Sequence, residues 1–446
     1  MEVHITSPRE KGSKSLFNIT SFISQEALGG LLLILVTVVA LVWANSGLSG
    51  TYHHLWHDLK MGFTFGDFEL RFSLQHWIND GLMAIFFFMV GLEIKREVIS
   101  GELSTLRKAS LPIAAAFGGM LFPALIYIAI NGGTPDYRSG WGTPMATDIA
   151  FALGVMSLLG KRVNINLKIF LTALAIADDL GAIMVIALFY TETINLSLLI
   201  TAGIVLTGMM IANRMGVRST TFYASVGLLG VWLAFLFSGV HATIAGVLIA
   251  LTIPGRTKIT EREFVDKMCS LVDKFEKEQP NDNAMLTREQ AHLVGKIARL
   301  SDDAHTPLQK LEHALHPITA WFILPLFALA NAGVHLEGNI LDMLFHPVSL
   351  GIMAGLVIGK VTGIALLSRL MVGLKLSVLP EGITWRHIIG AGLLAGIGFT
   401  MSIFISGLAF ADESLVQIAK IGIFGASLIS AVAGLLVLSS AGGKKE

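Results

Sequence analysis

Twelve stretches of mainly apolar residues recur along this chain, at 26–46, 75–96, 109–131, 143–160, 165–190, 196–213, 221–238, 239–254, 316–335, 346–369, 386–411 and 415–440. A helix needs about 20 such residues to cross the hydrocarbon core of a bilayer. Runs of this length and number predict an all-α polytopic membrane protein with twelve transmembrane helices. The stretches at 143 and 239 are the shortest and the weakest as full crossings. Composition agrees, because 53% of the residues are hydrophobic and only 14% charged, against roughly 25% charged in soluble domains.

Net charge is zero, yet the basic residues are placed unevenly. One set of short loops carries Lys95, Arg96, Arg107, Lys108, Lys161, Arg162, Arg214, Arg218, Arg369, Lys375 and Arg386; the opposite set holds only Lys60, Arg71 and Arg138. Short basic loops are retained in the cytoplasm, which predicts that both termini lie inside. The segments expected are a tail over 1–25, helices one to eight over 26–254, a cytoplasmic helical loop over 255–315, helices nine to twelve over 316–441, and a short tail over 442–446. The first apolar run is long and follows a polar tail, so no removable signal peptide is expected. The one cysteine, Cys269, falls in the cytoplasmic loop, which excludes intrachain disulfides and cysteine-rich metal sites.

Two segments outside the apolar runs carry structural signals. Residues 46–74 contain FTFGDFELRF, where Phe63 and Phe65, then Phe68, Leu70 and Phe72, flank Gly66 and Asp67 in the pattern of a small external β-hairpin. An exposed strand edge can lie as a lid on the outer face or pair with a second copy of the chain. The loop over 255–315 offers two helix-start signatures, Thr260/Glu263 and Thr287/Gln290. Its first half places Phe264, Met268, Leu271, Val272 and Phe275 on one stripe, predicting a helical pair that covers a neighbouring surface.

Polar groups inside the apolar runs are few, and each is costly. Asp178 and Asp179 stand side by side in KIFLTALAIADDLGAIMVIALFY, near the middle of the fifth run. One aspartate at the centre of a spanning helix costs roughly 2.5–3.5 kcal/mol, so the pair calls for partners, water or a bound cation. Lys360 is also deep, because Arg369, nearer the helix end, is about 13 Å away along a helix. Adjacent residues on a helix point roughly 100° apart, so the two aspartates divide labour. One pairs with Lys360 while the other faces a water-filled cavity together with Asp148 and backbone oxygens.

Asp148 lies in GTPMATDIAFALG, where Pro144 and the short apolar run predict a helix broken near Thr147. A matching interruption is expected in LLAGIGFTMSIF, through Gly396, Gly398 and Thr400. Taking spans three to five and ten to twelve as repeats, the two interrupted helices occupy the middle of each, the arrangement associated with a transport site. Asp80 and Glu93, toward opposite ends of the second run, read as structural: Asp80 as a cap of the helix entry or a stabiliser of its neighbourhood, and Glu93 as a partner of Lys95, Arg96 or other interfacial bases. His241 reads as a packed imidazole whose titration range also suits a pH response. Glu312, His313 and His316 form a further titratable cluster at the entry to the ninth run.

The chain closely resembles the NhaA-type sodium/proton antiporters over nearly its whole length, through WINDGLMAIFF, VGLEIKRE, ATDIAFALG, ADDLGAI, SGVHAT, LEHALHP, LPLFALANAG, LPEG and GIGFTMSIFI. The resemblance implies that Asp179, with Asp178 beside it, binds sodium and protons, and that Lys360 is the ionic partner of Asp178. It implies supporting roles for Asp148 and Thr147 at crossed broken helices and a pH-response role for Glu93, His241, Glu312 and His316. Ala177 and Val361 depart from the family pattern, which has a bulkier apolar residue and a proline there, and the loop over 255–315 is longer than usual.

The expected activity is electrogenic, pH-regulated exchange of cytoplasmic sodium or lithium for external protons, with no cofactor and no enzymatic step. The expected partners are membrane lipids and a second copy of the chain paired through the external hairpin; no nucleic acid is expected. A sodium-coupled symporter of an organic solute shares the broken-helix layout and is the alternative. An intramembrane aspartyl protease normally shows Gly-x-Gly-Asp, whereas Gly396 and Gly398 are followed here by Phe399.

Overall fold

The computed structural model describes residues 15–65, 68–191, 194–278, 285–335 and 339–441. The expected hairpin turn at Gly66 and Asp67, the side chains of Phe63, Phe65 and Phe68, and the outermost tails fall outside the described parts. The described residues are mostly helical, and the one sheet among them pairs β1 (Lys60–Phe65) with β2 (Phe68–Ser73).

All twelve apolar stretches become helix over most of their length. They are α1 (Ser15–Asn45), α2 (74–100), α3 (Leu106–Asn131), α4 (Ile149–Ser157), α5 (Ile165–Phe189), α6 (Leu196–Arg214), α7 (Thr220–Leu236) and α8 (Ala242–Thr252) in the first part of the chain. After the loop helices α9 (Glu261–Lys277) and α10 (Arg288–Ala304) come α11 (Pro307–Asn331), α12 (Pro347–Gly373), α13 (Trp385–Ala395), α14 (Phe399–Ala409) and α15 (Glu413–Ala441). Seven of these are long and apolar enough to cross a bilayer, and the count is eight if α13 and α14, bent by 48°, form one broken span. The helix α2 is not among them; it carries Glu93, Lys95, Arg96 and Glu97 toward its C-terminal end.

The chain divides into two compact units, neither contiguous in sequence. One gathers residues up to Met61 with Arg107–Ala182 and Leu324–Glu446. Here α1 packs on α4, α12 and α13 pack on α15, and α14 lies against α15 and the tight turn Ser139–Met145. The second unit comprises Gly62–Leu106 and Ile183–Ile323, and its most extensive packing is between α2 and α8. Gly246 permits that approach: a Cβ there would fall 2.9 Å from the backbone nitrogen of Phe88.

The loop over 255–315 forms the expected helical pair, α9 against α10. Phe264, Met268, Leu271 and Phe275 are half-buried along α9, whereas Val272, placed on the same stripe by the sequence, is exposed. Thr287 and Gln290 cap α10 reciprocally. The matching signature on α9 is half formed, because Thr260 accepts from the Glu263 amide at 3.3 Å while the Glu263 carboxylate turns to Lys267 at 2.6 Å. Charge attraction to the ammonium outcompetes a neutral backbone donor at an exposed site.

Lys267 beside Glu263, and Lys310 beside Asp302, hold both carboxyls below the usual carboxylate range, chiefly through the side-chain hydrogen bonds. A depressed carboxyl contributes stability above its unfolded pKa of about 4 and loses it as pH falls through the lower folded value. Hydrogen-exchange protection of α9 and α10, corrected for intrinsic rate, is therefore expected to stay constant from about pH 6 to pH 8 and to fall only below about pH 4. Loss of protection near pH 7 would show that other titrating groups set the stability of these two helices.

Candidate functional site

Two interruptions in the first unit position the buried polar groups. Ahead of α4 the chain runs through the tight turn Ser139–Met145 into extended residues Ala146 and Asp148. Pro144 cannot donate a backbone hydrogen bond, and a proline also disfavours helix in the residue before it. Between α13 and α14 the chain breaks over Gly396 to Gly398. A Cβ on Gly396 would press on the Leu356 carbonyl and sit 2.6 Å from Ser430 Oγ, so only glycine fits at this distance.

Asp148 joins the two breaks. Its amide donates to the Ile397 carbonyl at 2.7 Å. Its Oδ1 accepts from the Phe151 amide at 3.0 Å, capping α4. Its Oδ2 accepts from the Thr400 amide at 3.1 Å and the Thr400 hydroxyl at 2.5 Å, in the first turn of α14. One carboxylate thus serves two helix N-termini, each of which carries about half a positive charge. This differs from the cavity-facing role read from the sequence, because both Asp148 oxygens are engaged by protein donors. Thr400 is a partner that the sequence marked only as part of the interruption; its signal was a hydroxyl two residues after Gly398, within reach of a carboxylate.

Asp178 sits on α5. Its Oδ2 accepts from Lys360 Nζ at 2.5 Å and lies 2.8 Å from Thr147 Oγ1. Thr147 Oγ1 is also 2.8 Å from the Ala395 carbonyl, the last residue of α13. A hydroxyl has one proton, so it can donate to only one of these two oxygens at a time. Asp178, Asp179 and Lys360 are 0%, 1% and 0% exposed, which places all three out of reach of either aqueous side in this conformation. Asp179 lies within electrostatic reach of the Lys360 ammonium. The wide helical turn Gly355–Gly359 ends where Lys360 begins, and such turns are common at functional sites.

The remaining candidate residues belong to the second unit, in two clusters. In the first, Arg96 pairs with both Glu97 and Glu312, and Lys95 donates to the carbonyls of Leu251 and Ile253. The expected pairing of Glu93 with Lys95 or Arg96 therefore does not form: Glu93 makes no ion pair among the described residues, although Glu312, Arg96 and Glu97 act on it electrostatically. His316 lies on α11 four residues beyond Glu312 and within electrostatic reach of Arg96. In the second cluster, Asp80 pairs with His76 at 3.4 Å and lies within electrostatic reach of His241, whose Nε2 is 2.9 Å from the Tyr190 carbonyl. Asp80 is not the helix cap expected of it. Ser73 caps the helix, accepting from the His76 amide at 3.2 Å.

The profile of the family described as Na+/H+ antiporter 1 matches residues 20–438. The chain belongs to the sodium/proton antiporter family. It is 51% identical to the Na(+)/H(+) antiporter NhaA of Oleidesulfovibrio alaskensis, over 94% of this chain and 92% of that relative. It is 50% identical to Na(+)/H(+) antiporter NhaA 1 of Psychromonas ingrahamii, over 94% and 96% respectively. The Helicobacter pylori antiporter NhaA is 49% identical over 94% of both chains. The sodium/proton antiporter family is a family of transporters and not of enzymes, which sets aside the protease reading.

Removing Lys360 from this antiporter leaves Asp178 buried with an uncompensated charge, a change that costs about 3–5 kcal/mol at buried pairs, whereas replacing both partners together is often neutral. Lys360→Ala is expected to lower the melting temperature of the detergent-solubilised protein, and Lys360→Gln combined with Asp178→Asn to restore most of the loss. A single variant as stable as the parent would remove the pair from the folding energetics.

Proposed function

We propose that this antiporter exports cytoplasmic sodium, or lithium, in return for external protons at the Asp178–Asp179–Lys360 site, electrogenically and under pH control. The observation that carries the reading is the burial of two carboxylates and an ammonium beside the breaks that frame Thr147 and Ala395. Burial of a carboxylate favours its neutral form, and a cation in contact favours the ionised form, so sodium and protons compete for the same oxygens. Competition becomes exchange when the site opens to one side at a time and the empty charged site does not cross readily. The family membership and the relatives' names support sodium and protons as the exchanged ions. The aspartates and lysine are coupled and titrate as a unit.

The site is closed in the conformation described, so the proposed cycle requires rearrangement of the broken segments, with Asp148 holding the two breaks in register. The pH response is assigned to the second unit, through Glu93, Glu312 and His316 near Arg96 and through His241 near Asp80. Each cluster combines carboxylates with a permanent or titratable cation. The twelve apolar stretches, the two interruptions and the basic loops support a twelve-span bacterial inner-membrane protein with inverted repeats and both termini in the cytoplasm. The strand pair β1–β2 supports dimerisation through its exposed edge.

Asp179→Asn is expected to fold, with a melting temperature close to that of the parent, and to abolish sodium-dependent proton movement in proteoliposomes carrying an interior pH reporter. Normal exchange by that variant would remove Asp179 from the mechanism. In the same vesicles, an inside-negative potential, clamped with potassium and valinomycin, should change the exchange rate of the parent. A rate indifferent to the clamp would mean electroneutral exchange.

A further inference from the structure

The helix α14 is preceded by Gly398, which has no side chain with which to cap it. A Cβ at this position would run into Ser402 Oγ and press on Leu356, so the crowded site is filled by glycine and brings no capping oxygen. The first amides of any helix lack a partner within it, and a buried donor left unmet is costly. In α14 the Ser402 amide makes the first internal bond, to the Gly398 carbonyl at 2.8 Å. Phe399 and Thr400 come before it, and both donate to oxygens on other segments.

Thr400 donates to Asp148, and Phe399 donates to Ser427 Oγ of α15 at 3.3 Å. Ser427 is itself buried. The same helix also holds the Phe399 ring: Phe424, one turn before Ser427 and on the same face, lies 5.8 Å away between centroids, and Phe151 of α4 lies 5.4 Å away. Backbone and side chain of one residue are thus both fixed against α15. Phe399 is followed directly by Thr400, and Asp148 is preceded directly by Thr147. A displacement of Phe399 is therefore passed to the bonds between Thr400 and Asp148, and from there to Thr147 beside Asp178.

We propose that Ser427 is a positioning residue for sodium exchange: its hydroxyl fixes the start of α14 and, through Phe399 and Asp148, the placement of Thr147 beside Asp178. It is a neutral oxygen on a helix that carries neither aspartate, so it acts through the break and not on the ion. The proposal rests on the exchange reading above, and the test separates the two. Sodium is titrated at fixed pH against reconstituted full-length parent, Ser427→Ala, Ser427→Cys and Ser427→Thr, with rates divided by the amount of folded protein. Alanine removes the acceptor and is expected to raise the KM for sodium about tenfold, or about 1.4 kcal/mol, with the maximal rate within about twofold of the parent's. Threonine keeps the hydroxyl and should stay within about threefold of the parent's KM. A hydroxyl that only stabilised the fold would change the folded amount and leave KM where it is.

An alanine variant with the parent's KM would overturn the proposal, whatever its melting temperature, and leave Ser427 as packing. So would a threonine variant as impaired as the alanine one. If the alanine variant does not fold, the cysteine variant decides, because a thiol fills nearly the same space but accepts hydrogen bonds weakly. Its KM is then expected to rise above that of the threonine variant, and a KM equal to the parent's counts against Ser427. A parent protein that exchanges no sodium would instead sink the exchange reading.

Discussion

A single buried carboxylate, Asp148, holds together the two helix interruptions of this antiporter. Breaking two helices inside a membrane frees backbone amides that lipid cannot satisfy, and two N-termini that approach each other bring like partial charges together. Asp148 answers both problems by accepting from the amides of Phe151 and Thr400 while its own amide donates to Ile397. With that clasp in place, Thr147 can stand between Asp178 and the end of α13, and Asp178 can face Lys360. Without it the interruptions would leave backbone donors unsatisfied.

Much of this was legible in the chain because burying charge in hydrocarbon is so expensive that each charged residue there needs a reason. Asp178, Asp179 and Lys360 stood out on that ground alone, and Pro144 with Gly396 and Gly398 marked both interruptions. The number of apolar runs was equally plain. What depended on three-dimensional approach was not legible. Thr400 as partner of Asp148, Arg96 as the shared cation of Glu97 and Glu312, and His76 beside Asp80 are matters of which helix faces meet, and no periodicity encodes that. The expected helix cap at Asp80 failed for a related reason: Ser73, seven residues earlier, already supplies the capping oxygen.

The residues divide between the two units according to chemistry. The first unit holds the aspartate pair, Lys360, the two breaks and the buried hydroxyls. The second holds the mixed clusters of carboxylates with Arg96 or histidine. The first set is sealed in apolar surroundings, where a charge change is costly and tied to ligand exchange. The second is only partly buried and includes imidazoles, whose ordinary titration range spans neutral pH. The buried charge cluster and the carboxylate clusters with Arg96 or histidine thus belong to different compact units of one chain.

Thr147 has one hydrogen to give and two oxygens within reach of it. While Asp178 is ionised, its carboxylate and the final carbonyl of α13 contend for that hydrogen. Once Asp178 takes up a proton, the acid can become the donor, and the hydroxyl is then free to secure the carbonyl. The charge on one aspartate is in this way written into the bonding of a helix end on another segment, through the flip of a single rotor and with no displacement of the backbone.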